Sequence, residues 1–451
     1  MAIIKIPPAA AKAPATSASA PAFSAVTRGA GNGGRAPPLA ADESAEPVVG
    51  RVATAKGAEI LGLPRAFWVL WVGMLINRLG ASVVPFLSIY LVHQRGFSRG
   101  QAGLVLALYA LGGMAAGTAG GTLADRWGRR PTLLLGAASS AAFMLALGFS
   151  PTSLAIFALV PLLGLCTELG RPPLQAAVAD LVPAASRARA FGLIYWAINL
   201  GFSGAALVAG ALAEVSFRLL FVLDAATSAL FFAIIWRFLP ETRPSGSSPS
   251  PVRGSRPTTP LRDPRLFSFL GIQLLALLAF HQVPGTLPLA MRQSGLPSHQ
   301  VGQLLALNGL IIIVVQPLIL RRLTQVPLAR LLTVGTALVG LGLGINGLAG
   351  GAAVFAIGVL VWTLGEIAMF TATPAVIAEL APTDQRGAYQ GAAQLAFGFT
   401  SAAAPIIGMA LLGGPGPLVL WLGCLGAGLA AAALHATVTA RVGRSGGAQA
   451  R

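Results

Sequence analysis

The chain has 451 residues, 55% of them hydrophobic and only 10% charged, with a net charge of +17 and a mean hydropathy of +0.75. A chain this long and this apolar does not make a soluble globule; it reads as a polytopic membrane protein in a lipid bilayer. The excess of bases does not indicate nucleic acid, because Lys and Arg punctuate the hydrophobic segments instead of gathering on one aromatic-interleaved face, and Cys166 and Cys424 share no disulfide or metal-ligand spacing.

Residues 1–65 are rich in Ala, Pro, Ser and Gly and hold no apolar run long enough for a signal peptide, which predicts a disordered cytoplasmic tail. Apolar runs near the ~20 residues that span a bilayer follow at 66–92, 101–123, 131–149, 153–178, 188–212 and 216–238. The interval 240–265 has the Pro/Ser/Gly composition of a flexible linker. Six more runs occupy 266–290, 299–320, 328–348, 352–378, 388–411 and 416–438, leaving 439–451 as a second tail. Pro85, Pro172, Pro173, Pro284 and Pro374 fall inside these spans, where prolines are tolerated and mark kinks.

The halves 66–239 and 266–438 repeat one another. Pro85 and Pro284, Gly96 and Gly295, Gly103 and Gly302, Pro183 and Pro382, Arg187 and Arg386, and Gly192 and Gly391 are each 199 residues apart, as 284 − 85 = 199. Chance identities would scatter over many offsets, so duplication is the economical explanation. The bases then set the orientation. Only Arg95, Arg99, Arg218 and Arg292 lie in loops on the side away from the chain ends, which predicts that both termini and the linker face the cytoplasm.

Between the second and third segments the chain reads G-G-T-L-A-D-R-W-G-R-R. Gly121, Asp125, Arg126, Gly128, Arg129 and Arg130 there form G-x-x-x-D-R-x-G-R-R, too charged for hydrocarbon and so a tight turn at the membrane surface. This pattern closely resembles the signature loop of the major facilitator superfamily of secondary transporters, and Leu-Pro-Glu-Thr at 239–242 resembles the usual ending of that family's sixth helix. The resemblance covers about residues 66–438 and implies an all-α membrane fold: twelve transmembrane helices in two pseudo-symmetric six-helix bundles, with the substrate site between them. It also implies that the loop is a gate, its acid and arginines tying the bundles together on the cytoplasmic side. The repeat sets Thr324 opposite Asp125, so the second copy has lost the acid. Asp180 and Glu379, with Arg187 and Arg386 nearby, are the candidate gate partners.

Charge inside a span is costly and needs a partner or an aqueous cavity. Arg78 lies in the first span, Glu168 and Arg171 in the fourth, Asp224 in the sixth and Glu366 in the tenth. Glu168 and Arg171 share a helical face at i and i+3, and Asp224 is placed to pair with Arg78, which leaves Glu366 without an obvious base. A carboxylate among apolar groups favours its neutral form, so Glu366, Glu168 or Asp224 is expected to carry a proton. Tyr195, Trp196, Asn199, His281, Gln282, Trp362 and Gln394 are further candidates for the transport pathway. N-L-G-F-S-G-A-A-L-V-A-G, from Asn199 to Gly210, resembles the fifth-helix motif of drug/proton antiporters, with Ala205 and Ala206 where the usual Gly-Pro pair stands.

These readings predict a monomeric, multi-pass protein of the plasma (inner) membrane. It is expected to export small, partly apolar compounds, driven by the proton gradient and with no cofactor, metal or enzymatic activity. Proton-coupled uptake of a small nutrient is the alternative, because fold does not fix cargo or direction; a non-transporting sensor or scaffold is the third. An ATP-driven pump is disfavoured by the lack of a G-x-x-x-x-G-K-[ST] loop. Reporter fusions after Gly96 and Gly295 are expected to report outside and fusions within 245–260 inside; an outward-facing linker would reverse the orientation.

Overall fold

The computed structural model describes residues 59–243 and 260–448, apart from 324, 349 and 383–384. Twelve helical spans run through them. The N-terminal bundle holds α1 (Arg65–Gln94), α2 (Arg99–Arg126), α3 (Arg129–Gly148), α4 (Ser153–Leu181), α5 (Arg187–Val215) and α6 (Phe217–Phe238). The C-terminal bundle holds α7 in two pieces (Pro264–Phe280 and Thr286–Gln293), α8 (Ser298–Leu323), α9 (Leu328–Ile345), α10 (Ala352–Leu380), α11 (Arg386–Gly413) and α12 (Pro417–Ala448).

Besides α4, interrupted at the single residue Gly170, two spans expected to be continuous are broken. α1 leaves helical geometry at Ala81 and Ser82 and resumes at Val83, ending in a π-helical turn over Tyr90–Gln94. α7 stops at Phe280 and turns through residues 281–285. The cause is the same in both. A proline offers no N–H and its ring clashes with the carbonyl four residues earlier, which is Ala81 for Pro85 and Phe280 for Pro284. Thus the breaks fall at positions matched by the repeat, and His281 and Gln282 sit in a turn rather than midway along a helix.

The tail is also shorter than expected. Glu59–Ile60 (β1) and Leu63–Pro64 (β2) pair as a small antiparallel hairpin, because Leu63 buries itself completely against the start of α1 and Trp68 Nε1 donates to the Ile60 carbonyl at 2.8 Å. The rest of the predicted tail (1–58), linker residues 244–259 and the chain end (449–451) lie outside the described residues, and α12 continues past the expected limit at 438.

The cores reveal how the bundles meet. Near the face that carries the ends of the linker, here the terminal face, each bundle has its own core: Phe67, Leu70, Leu133, Val178 and Ile235 in one, Leu266, Leu332, Ala372 and Ile377 in the other. Toward the opposite face a single core draws on both halves, with Phe86, Leu106 and Phe221 continuous with Leu289, Leu305 and Trp421.

Two seams of small residues carry that contact. On α5 and α8, a Cβ added at Gly210 would stand 2.7 Å from the Ser298 carbonyl, one at Gly302 would run into the Ala206 carbonyl, and one at Gly309 would lie 2.7 Å from that of Asn199. Ser203 Oγ bridges the helices, set to donate to the Asn199 carbonyl at 2.9 Å or the Ala306 carbonyl at 3.1 Å. On α2 and α11, Gly103 meets the Pro405 carbonyl and Gly398 meets Met114. One or two turns further toward the terminal face, Gly117, Gly121, Gly192 and Gly391 continue the same stripes, yet a Cβ there would meet nothing within 4 Å. The bundles are therefore closed at the opposite face and part at the terminal face, leaving a cleft between them.

This difference sets opposite expectations for one substitution. Gly302→Ala should cost about 1–3 kcal/mol of overpacking and lower the thermal unfolding midpoint in detergent. Gly192→Ala, with open space and a better helix former, should leave it unchanged or raise it.

Candidate functional site

The break in α1 frees backbone N–H groups in the middle of a bundle, and hydrocarbon cannot satisfy them. Asp224 on α6 is buried beside that break, near the backbone of Ser82 and Val83. The expected Arg78–Asp224 ion pair does not form; Arg78 Nε and Asp224 Oδ2 have no hydrogen-bond partner. Both instead line a cavity of about 260 Å³ inside the N-terminal bundle, together with Asn77, Tyr109, Glu168, Phe202 and Ser228. Pro284, at the α7 break, is the one contribution to its wall from the other half. Asn77 Nδ2 donates to Ser228 Oγ at 3.1 Å, and Tyr109 lies within Coulombic reach of Glu168, Arg78 and Asp224. Opposed charges held apart in one cavity can orient a polar guest or a chain of proton carriers.

Glu168 and Arg171 do pair, at 3.6 Å across the Gly170 junction of α4. Arg171 is 56% exposed and Glu168 27%, so neither charge of the pair is fully buried.

In the C-terminal bundle, Glu366 has no ion-pair partner among the described residues. Asn308 of α8 donates to its Oε2 at 2.7 Å and stands 3.0 Å from Thr363 Oγ1. Asn308 is buried next to Gly309, where the α5–α8 seam ends, and Tyr195 of α5 is within Coulombic reach of the Glu366 carboxylate. Glu366 therefore lies at the inner end of the cleft, between the bundles.

The remaining pathway candidates divide. Tyr195 and Trp196 are partly exposed, while Asn199 is buried and donates to the Tyr195 carbonyl at 2.9 Å. Gln282 is a strut: its Nε2 donates to the Ala404 carbonyl at 3.0 Å and its Oε1 accepts from Thr286 at 2.7 Å, tying the α7 break to α11. His281 is buried without a hydrogen-bond partner, edge-on to Phe397 at 4.4 Å, and Trp362 is buried against Phe280. Gln394 is exposed.

The signature loop is built within one bundle. Arg129 links Asp125 at 3.2 Å and Asp180 at 3.1 Å. Glu241, just past α6, accepts from the backbone N–H groups of Arg129 at 2.9 Å and Arg130 at 3.2 Å, so it caps α3. Gly128 has φ +116°, a left-handed value that favours glycine, and a Cβ there would collide with the Glu241 carboxylate. Arg130 donates to the Trp236 carbonyl, and Arg243 to that of Arg126. The expected tie from this loop to the C-terminal bundle is not made among the described residues, because the bundles have parted at this face. Arg187 donates to the Val182 carbonyl at 3.2 Å, Glu379 and Arg386 have no partner among the described residues, and Thr324 lies outside them.

The Major Facilitator Superfamily family model matches residues 70–405. The chain belongs to that superfamily. It is a transporter of the facilitator type and a multi-pass integral membrane protein. It is 28% identical over 358 residues to the Na(+), Li(+), K(+)/H(+) antiporter of Planococcus maritimus, covering 72% of this chain and 84% of that one. With the quinolone resistance protein NorA of Staphylococcus aureus it shares 30% identity over 171 residues, 37% of this chain and 43% of NorA. The crystal structure of the peptide transporter POT in complex with sulfate superposes with a TM-score of 0.72 at 19% identity, over 86% of this chain and 96% of that one, a likeness of fold.

In this facilitator, Glu241, Asn308 and Tyr109 enter the site from the structure alone. The composition of 240–265 places Glu241 in the linker, although it belongs to Leu-Pro-Glu-Thr. Asn308 carried a usable signal, a polar residue within an otherwise apolar run. Tyr109 carried none, since aromatic residues recur throughout such spans.

Removing the cap should be felt more than removing the exposed ion pair. Glu241→Ala strips two N–H groups of their acceptor and should cost about 0.5–2 kcal/mol, whereas Asp125→Asn, at a side chain 69% exposed, should cost less than about 1 kcal/mol. Thermal unfolding of the purified variants compares the two.

Proposed function

We propose that this facilitator exports small, partly apolar compounds in exchange for protons by alternating access, and that Glu366 carries the proton. The observation that supports this reading most is the setting of Glu366: a carboxylate at the inner end of the cleft, held by the Asn308 amide and free of any basic partner among the described residues. Such a group can exchange a proton with whichever side the cleft faces, and its charge changes where the bundles meet. The antiporter and quinolone resistance relatives favour proton exchange and export over uptake. The distribution of Arg and Lys favours a cytoplasmic terminal face in the plasma membrane. The cleft would then open to the cytoplasm, the side from which an exported compound loads. Small molecules and protons would be the partners of a monomer, with no cofactor and no nucleic acid.

Replacing Glu366 by Gln keeps the volume and a hydrogen-bonding partner for Asn308. The variant should express and unfold like the parent, lose transport driven by an imposed pH difference in proteoliposomes, and retain substrate exchange without net proton movement. Glu168→Gln, at a partly solvated pair, should keep the pH-driven activity in large part. Undiminished pH-driven transport by Glu366→Gln would transfer the role to Asp224 or Glu168, or remove the proton as coupling ion.

A further inference from the structure

The face opposite the termini is held shut by apolar and glycine contacts, with polar contacts between the bundles at its edge: Arg99 of α2 stands 3.1 Å from the Gln293 side-chain amide of α7, and a carboxylate meets an imidazole. Glu214 is in the last turn of α5 and His299 in the first turn of α8. Glu214 Oε1 is 2.8 Å from His299 Nδ1 and accepts from the His299 backbone N–H at 3.2 Å. One carboxylate thus serves both the imidazole and a backbone donor at the start of α8, where acids are favoured. Both side chains are half-exposed, 41% and 45%, and Arg292, from the second piece of α7, acts electrostatically on the same carboxylate. One turn deeper, Gly210 lies against the Ser298 carbonyl and Gly302. The side-chain contact therefore stands at the outer end of the tight α5–α8 seam.

The internal repeat supplies a control. Adding 199 to Glu214 gives Gly413, and subtracting 199 from His299 gives Gly100. The seam between α2 and α11 shares one of these glycines, Gly103 for Gly302, since Gly210 and Gly309 answer to Met409 and Ala110, and it has no acid and no imidazole at the equivalent place; the Arg99 side chain lies over Gly413 there, with its guanidinium 3.1 Å from the Gln293 side-chain amide. The carboxylate–imidazole pair is thus particular to the α5–α8 seam.

We propose that Glu214 and His299 are a latch on the face opposite the termini, made when that face is closed and broken each time it opens. The latch sets the balance between the two orientations of the cleft and takes no part in binding the transported compound. Being accessible to solvent, the contact can be broken and remade at low cost, as a latch in a cycling transporter must be. It rests on the alternating-access reading above, though not on proton coupling or on any role for Glu366.

The test is a distance measurement on the full chain with Cys166→Ala and Cys424→Ala, reconstituted in nanodiscs and spin-labelled at Leu154→Cys and Leu348→Cys. These positions lie on the opposite face, one in each bundle, and are 80% and 78% exposed. A short distance reports the closed face and a longer one the open face. Glu214→Gln and His299→Gln should each raise the ratio of long to short distances roughly two- to five-fold, and the double variant no further than the larger single effect, because both remove one interaction. Equal distributions in parent and variants, or single effects that multiply in the double variant, would overturn the latch. A parent protein with no second distance under any pH or probe compound would overturn alternating access, and the latch with it. A label pair on the terminal face separates these failures by reporting whether the cleft moves at all.

Discussion

A backbone polar group in hydrocarbon has nowhere to turn for a partner, and this constraint organises the protein more than any other. Ten of the twelve spans meet it largely within their own helical ladders. α1 and α7 cannot, because Pro85 and Pro284 interrupt them. At the α7 break the chain's own Gln282 donates to the Leu278 carbonyl at 3.3 Å, and at the α1 break Asp224 of α6 lies close by. The cavity with Arg78 and Asp224 on its wall also reaches Pro284 at the second break. The places where regular structure fails are thus where the polar chemistry of the interior is assembled, as is common among transporters built from discontinuous helices.

The distribution of apolar packing decides which way the molecule faces. One core shared by both halves near the opposite face, and two separate cores near the terminal face, leave a wedge-shaped space between rigid bodies. The contacts that would have to be exchanged for the wedge to point the other way are the glycine seams, where helices touch with few side chains interlocked, and a small set of polar groups at the rims. Arg129, Asp180 and Glu241 keep the signature loop folded as part of its own bundle while the cleft is open there.

Much of this architecture was legible in the sequence. The hydrophobic runs fall within a few residues of the observed helices, since a bilayer fixes span length, and the 199-residue offset correctly pairs the two broken helices. The pairing of charges was less accessible. Glu168 and Arg171 could be joined because one helix holds both, but Arg78 and Asp224 are on different helices, and residue spacing does not reveal the helix break beside the acid. Gln282 read as a pathway residue and is instead a strut. The hairpin of residues 59–64 depends on Leu63 finding a buried place beside α1, a tertiary contact that local composition conceals.

Ser203 gives the interface a mechanical character. Its hydroxyl lies near the inner limit of the α5–α8 seam, within hydrogen-bonding distance of carbonyls on both helices. In the alternating-access reading proposed above, a contact in that position would be a fulcrum. With a hydrocarbon core ~30 Å thick, rocking of about 15°, comparable to subunit rotations in well-known allosteric proteins, sweeps each rim through about 4 Å while the hydroxyl moves hardly at all. Leverage of that kind separates rim contacts completely and leaves the pivot bonded, so the two bundles can trade one opening for the other without ever coming apart in the middle of the membrane.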